Sequence, residues 1–271
     1  MRLGFVGAGR MGRPMVQRLV GADHRVKVLV RSGAAKAALE SDGATAVPTL
    51  ADVADGAEAV LICVHTDEQV KEVAPGLIDA MRPGALLILH TTGSPATADA
   101  LGDRIEVIDA PVSGGPHDIL AGHITLLVGG ASEAVERARP IFRSYGDPIL
   151  HVGGRGNGQR VKLINNALFA ANIGLLAAAV DLGAQLGVTE EALLTALPQG
   201  SANSYALGGV ARAGSVGTFA RAAGEFVGKD VAVVRQVVAE LGGDLGALAA
   251  AHQALADLLP EHARALARSS R

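Results

Sequence analysis

The opening of this chain constrains its fold more than any other stretch. The apolar run LGFV leads into Gly7, Gly9 and Gly12, spaced G-x-G-x-x-G, and then into PMVQRLVGA. An apolar run that ends in glycines and gives way to an apolar repeat of helical period reads as strand, tight turn and helix. Each glycine has its own task in such a turn. Gly7 makes the bend, Gly9 lets the backbone approach an anion, and Gly12 lets helix and strand pack closely. The helix behind the turn offers unbonded N–H groups and the positive end of its dipole. The loop Gly7, Ala8, Gly9, Arg10, Met11 and Gly12 is therefore a candidate cradle for a dinucleotide pyrophosphate, the alternative being an ordinary glycine-rich turn.

The pattern then repeats. RVKVLVR, AEAVLICV and GALLILH read as strands, separated by the helical stretches AAKAALESDGA and EQVKEVAPGLIDAM, and RIEVIDAPV, HITLLVGG and PILHVG extend the set. Regular alternation of strand and helix predicts a parallel, doubly wound sheet of the α/β class over residues 1–160. After HVGGRGNGQ the texture changes: VKLINNALFAANIGLLAAAVDLGAQLG reads as one long apolar helix, followed only by further helical segments. Residues 161–271 should form an all-α domain that serves substrate binding and oligomerisation, joined to the Rossmann sheet by this long interdomain helix. A helix apolar on most faces is buried between domains or between subunits, so a homodimer or homotetramer is expected.

Where a dinucleotide-binding sheet that takes NAD places an acid against the ribose 2′-hydroxyl, about twenty residues past the glycines, this chain ends its second strand in Arg31 and Ser32, with Lys36 one turn on. Cations there suit a 2′-phosphate, Arg as a bidentate donor and Lys as a point charge. NADP is accordingly expected in preference to NAD, unless these are solvated surface charges.

A net charge of −3 gives none of the basic footprint a nucleic acid requires. The one cysteine, Cys63, lies in an apolar run and reads as a buried, inert thiol, in keeping with a reducing cytoplasm. The start of the chain lacks the layout of a signal peptide, and no apolar run is expected to approach the roughly 18 residues a bilayer crossing needs. Neither membrane nor nucleic acid is an expected partner. No metal site is expected either, because the histidines are scattered and the one cluster, His117, Asp118 and His123, reads as a polar loop.

With GFVGAGRMGRPM at the start, TTGSP at 91–95, DAPVSGG at 109–115, GNGQRVKLINN at 156–166 and Lys229-Asp230 late in the chain, the sequence resembles the β-hydroxyacid dehydrogenase family over nearly its whole length. The resemblance implies an NAD(P)-dependent oxidoreductase acting on a small hydroxy acid or its semialdehyde. It implies that Ser113 and the backbone N–H groups around Gly114 and Gly115 bind the substrate carboxylate, that Lys162 is the proton-transfer residue, and that Asn166 holds the reacting oxygen. Spacing i, i+4 sets Lys162 and Asn166 on one helix face, and the neighbouring Val161, Leu163 and Ile164 would desolvate the lysine and lower its pKa. By the same resemblance Thr92 lies beside the nicotinamide, Val64, His65 and Thr66 run under the adenosine side, and Lys229 reaches cofactor or substrate from the helical domain.

The chain also departs from the family pattern. Pro116, His117, Asp118 and Ile119 follow the carboxylate loop where small residues are usual, and His90 and Gly93 replace an acidic and a branched residue. Two other readings stand beside the dehydrogenase: an NADPH-dependent imine reductase, which usually lacks the lysine, and a non-catalytic NADP-binding protein.

Overall fold

A computed structural model describes residues 1–30 and 32–260. The chain forms two compact units, Met1–Lys162 and Leu163–Arg271.

The first unit begins with the motif already singled out: strand β1 (Arg2–Val6), the glycine turn, and helix α1 (Gly12–Gly21). It continues through β2 (Arg25–Leu29), α2 (Gly33–Ser41), β3 (Thr45–Val47), α3 (Leu50–Ala54), β4 (Ala59–Ile62), α4 (Asp67–Ala80), β5 (Leu86–Leu89), α5 (Pro95–Gly102) and β6 (Glu106–Asp109). All neighbouring pairs in the order β3-β2-β1-β4-β5-β6 are parallel. The residues explain why. Every residue of AVLI in β4 and LLIL in β5 is buried, as a strand covered by helices on both faces requires. Alternate side chains serve two separate cores: Leu3, Phe5, Leu61, Leu86 and Ile88 pack with Met15 and Leu19 of α1, while Val6, Val60, Ile62 and Leu87 pack with Val73 and Leu77 of α4.

The far edge differs from the uniformly parallel sheet that alternation suggests. Strands β7 (Val112–Ser113) and β8 (Ile124–Gly129) flank the short helix α6 (Pro116–Ala121). Too few residues separate β7 from β8 for a crossover, so they pair antiparallel, and β8 also runs antiparallel to β6. Helix α7 (Ser132–Phe142) then returns the chain to β9 (Gly146–Gly153), parallel to β8. The three-residue strand β3 escaped the sequence reading because TAV is too short to show a period.

Helix α8 (Asn157–Gln185) starts in the first unit and runs into the second. At 29 residues it is about 43 Å long. Among the described residues the second unit also contains α9 (Glu190–Ala196), α10 (Tyr205–Ala213), α11 (Val216–Glu240) and α12 (Leu248–Leu258). Its core joins Ala170 and Ile173 of α8 to Leu207 and Val210 of α10, Val227 and Val231 of α11 and Leu255 of α12. At Gly174 the absence of a side chain admits α12, since a Cβ there would drive into the Ala251 carbonyl.

One expectation needs correcting. By length and composition α8 is apolar enough to cross a membrane, with a mean hydropathy of 1.8 over its most apolar window. The polar breaks at Asn165, Asn166 and Asn172 hid this from a count of unbroken apolar runs. Leu163, Ala167, Ala170 and Ile173 of this helix pack in the helical unit.

Candidate active site

Because β1, β2, β4, β5 and β6 are parallel, the loops that follow them leave one edge of the sheet, with the order reversing between β1 and β4. Clefts for nucleotides form at such a reversal. Gly7 has φ +97°, and a Cβ on it would strike the Cys63 carbonyl oxygen of the adjacent loop. A Cβ at Gly12 would strike the Gly7 carbonyl, whereas one at Gly9 would meet nothing within 4 Å. The turn is thus closed behind Gly7 and Gly12 and open over Gly9, the shape a pyrophosphate needs. Helix α1 has neither a side-chain cap nor an acid in its first turn. Each of the helices α2 to α7 carries a capping side chain, an acid in its first turn, or both. The glycine turn therefore fits an anion. Cys63, just beneath it, has its thiol pushed up to about 12 by burial, which makes it inert.

At the end of β2, Val30, Ser32, Gly33, Lys36, Ala46, Val47 and Pro48 line a shallow hollow of about 270 Å³. Ser32 caps α2 by accepting from the Ala35 N–H at 3.4 Å. Lys36 is exposed and lies 3.8 Å from Glu40. Arg31 lies outside the described residues.

The next loop is committed to the fold. Thr66 accepts from the Gln69 N–H, while Gln69 Oε1 accepts from the N–H groups of His65 at 2.9 Å and Thr66 at 3.2 Å, a reciprocal cap for α4. Val64 donates its N–H to Thr91 Oγ1, which donates back to the Val64 carbonyl. Residues 64–66 thus offer a ligand their side-chain surfaces and little free backbone.

Thr92 sits between two fixed points. Gln159, buried in the first turn of α8, donates from Nε2 to the Thr91 carbonyl at 2.7 Å and accepts from the Gly93 N–H at 3.0 Å. Gln159 is held in turn by Asp109, whose Oδ2 accepts from its N–H at 2.7 Å while Oδ1 accepts from the Gly156 N–H at 2.6 Å. Asp109 is fully buried, and desolvation pushes its carboxyl up to about 6 against those donors. Both residues lie inside sequence motifs, DAPVSGG and GNGQRVKLINN, that assign them no role of their own. The available signal was an acid ending a buried strand, with glycines at the start of α8 to receive it.

Ser113 ends β7, and Gly114 follows with φ +131°. The Gly115 N–H already donates to Asp118 Oδ2 at 2.6 Å, so Gly115 brings no spare donor to a substrate carboxylate. Asp118 Oδ1 faces His117 Nε2 at 3.2 Å. The departure at His90 belongs to the core: Nδ1 donates to the Ala110 carbonyl at 2.7 Å and Nε2 accepts from the Tyr145 hydroxyl at 2.9 Å. Burial lowers His90 to about 4, so it is neutral, as this pairing requires.

Lys162, half-buried, is one turn past Gln159 on α8. Asn166 follows at i+4, buried, its Oδ1 accepting from Asn165 at 3.2 Å and its Nδ2 without a partner among the described residues. Lys229 and Asp230 lie half-buried on α11 in the second unit.

Residues 2–153 match the family model described as the NAD binding domain of 6-phosphogluconate dehydrogenase, and residues 156–269 match that described as NAD-binding of NADP-dependent 3-hydroxyisobutyrate dehydrogenase. The chain belongs to the β-hydroxyacid dehydrogenase family. It is thereby an NAD(P)-dependent oxidoreductase of the 3-hydroxyacid dehydrogenase type. Among its relatives is an NAD-dependent L-serine dehydrogenase of Pseudomonas aeruginosa, 33% identical over 76% of this chain and 72% of that one. A solved 3-hydroxyisobutyrate dehydrogenase of Mycobacterium tuberculosis, in complex with L-serine, superposes with a TM-score of 0.88 at 25% identity, covering 99% of both chains. An imine reductase from Myxococcus stipitatus, at 19% identity and a TM-score of 0.63 over 94% of this chain and 92% of that one, shares the fold alone.

Proposed function

We propose that this β-hydroxyacid dehydrogenase transfers a hydride between NADP and a small 3-hydroxy acid or its semialdehyde, with Lys162 as general acid and base. The observation that carries the reading is the pair on α8: Asn166 holds a buried amide N–H group without a partner among the described residues, one helical turn from Lys162 on the same face. A buried donor left unmatched costs about 1–3 kcal/mol, and an alcohol or carbonyl oxygen would satisfy it. Ser113 Oγ and the Gly114 N–H would hold the carboxylate, and in oxidation Lys162 takes the hydroxyl proton as the carbon gives up its hydride. The bound nicotinamide supplies the hydride acceptor or donor. In reduction Lys162 returns the proton to the new alkoxide.

The preference for NADP rests on Ser32 and Lys36 at the hollow beyond β2, with Arg31 beside them in the sequence, and on the absence of an acid at that strand end. Loss of NADPH absorbance against a panel of aldehyde acids, with NADH run in parallel, tests both parts. Turnover of an aldehyde acid faster with NADPH supports the reading. Turnover confined to a cyclic imine replaces it with an imine reductase, and NADPH binding without any turnover replaces it with a binding protein.

The same reading includes a homo-oligomer. Ile164, Leu168, Leu175 and Leu182 form an exposed apolar stripe along α8, spaced as a helix-packing seam is. Sedimentation should give a dimer or tetramer that Leu175→Ser with Leu182→Ser shifts towards monomer; a monomeric wild type overturns that part.

A further inference from the structure

The Asp109 carboxylate is fully buried, and both its oxygens are spent on N–H groups at the start of α8. Its surroundings are cut to fit: a Cβ at Gly129 would lie 2.5 Å from Oδ1, and one at Gly158 would lie 2.8 Å from Oδ2. Capping a helix needs much less, since a Ser or Thr hydroxyl does so elsewhere in this chain without burying a charge. Gln159 carries the connection onward through its two bonds to Thr91 and Gly93. The end of β6, the loop after β5 and the first turn of α8 are thereby tied at one point. Lys162 is three residues beyond Gln159, so any rotation or slip of that turn moves the lysine with it.

We propose that Asp109 is a positioning residue for Lys162: with Gln159 it sets the rotation and height of the α8 start against the Thr91–Gly93 loop. This rests on the reading of Lys162 as the acid and base. Displacing a reacting group by about 1 Å can cost on the order of 100-fold in rate, so the anchor acts on turnover more than on binding.

Asp109→Asn keeps the shape and turns one acceptor into an amide that confronts an N–H group. The expected result is a kcat lowered about 10- to 100-fold with NADPH affinity, read by fluorescence, held within about twofold. Amide exchange at 156–160 of the cofactor-free protein should quicken while that of β4 and β5 is unchanged. On a Lys162→Met background the same substitution should add little, because two residues acting through one step are not additive. Wild-type kcat in folded Asp109→Asn, unchanged exchange at 156–160, or a full multiplicative loss on the Lys162→Met background would each overturn the proposal. Should Asp109→Asn fail to fold, Gln159→Met keeps the side-chain length and loses both loop bonds; the same measurements on it support or overturn the proposal by the same outcomes. Failure of the underlying reading is separately visible: Lys162→Met alone would then keep its turnover, and the exchange data would still decide whether Asp109 sets the helix start.

Discussion

Helices α1 and α8 both begin at the carboxyl edge of the sheet, and their N-termini are finished in opposite ways. The start of α1 is bare, with no capping side chain, no acid in the first turn and open space over Gly9. The start of α8 is filled from within by the buried carboxylate of Asp109. A helix N-terminus attracts negative charge wherever it stands, so a fold that needs one end to hold a ligand and the other to stay fixed must supply an anion to the second and withhold it from the first. On the readings proposed above, the α1 start is a binding end and the α8 start a positioning end, and substitutions can push each towards the other's state.

The largest expected effect leaves both ends intact. Lys162→Met should lower turnover by about 10²- to 10⁴-fold, the usual range for lost acid-base catalysis, and leave NADPH affinity unchanged. A variant retaining more than about a hundredth of wild-type kcat would remove Lys162 from the chemistry.

Next, Gly9→Asp gives α1 an internal anion of its own. A Cβ there meets nothing described within 4 Å, so melting temperature should hold, while a charge about 4 Å from a phosphate site costs about 1–4 kcal/mol, or roughly fivefold to nearly a thousandfold in cofactor affinity. Unchanged affinity, read by titration of protein fluorescence, would mean that the bare end of α1 is not the anion site. A smaller effect is expected one strand away. Lys36→Glu should weaken NADPH by about two- to fivefold, the worth of one exposed charge pair, with NADH little affected. Equal losses for the two would leave Lys36 as a solvated charge on α2.

The same contrast marks what the sequence could tell. The bare end was legible because its requirements are local: Gly7, Gly9 and Gly12 act within six positions of one another, and their spacing is itself the signal. The filled end was not, since Asp109 meets α8 across 47 and 50 residues of chain and nothing in DAPVSGG says which N–H groups an acid will find. His90 and Tyr145, 55 residues apart, were hidden for the same reason. The Asp118 clasp on Gly115 was within reach, because an acid three residues past a helix start is a capping signal; a substrate role implied by the family resemblance drew the reading of Gly115 elsewhere. The sheet was legible through its buried central strands, and less so at the edge, where the short β7 and β8 reverse direction.

The smallest effect concerns pH and stability. Burial raises Asp109 from 3.8 to about 6, so the folded chain holds that proton more tightly than the unfolded one. The sign follows from linkage: the contribution of this group is fully present below about pH 4 and is lost as pH rises through about 6. Asp42, Asp55, Glu58 and Glu136, whose carboxyls are lowered by neighbouring donors, act in the opposite sense and lose their contribution as pH falls. Those groups are common to wild type and Asp109→Asn and cancel in the difference between them. Any stability advantage of the wild type in melting temperature should therefore shrink as pH is raised from 4 to 7, with most of the change between about pH 4 and 6 and little beyond. A gap that widens instead would mean that the two N–H bonds outweigh desolvation and that the native carboxyl lies below its ordinary value. The expected direction has a functional meaning, because at neutral pH the anchor of α8 is charged at some cost to stability, which is what a group kept for alignment more than for folding would show.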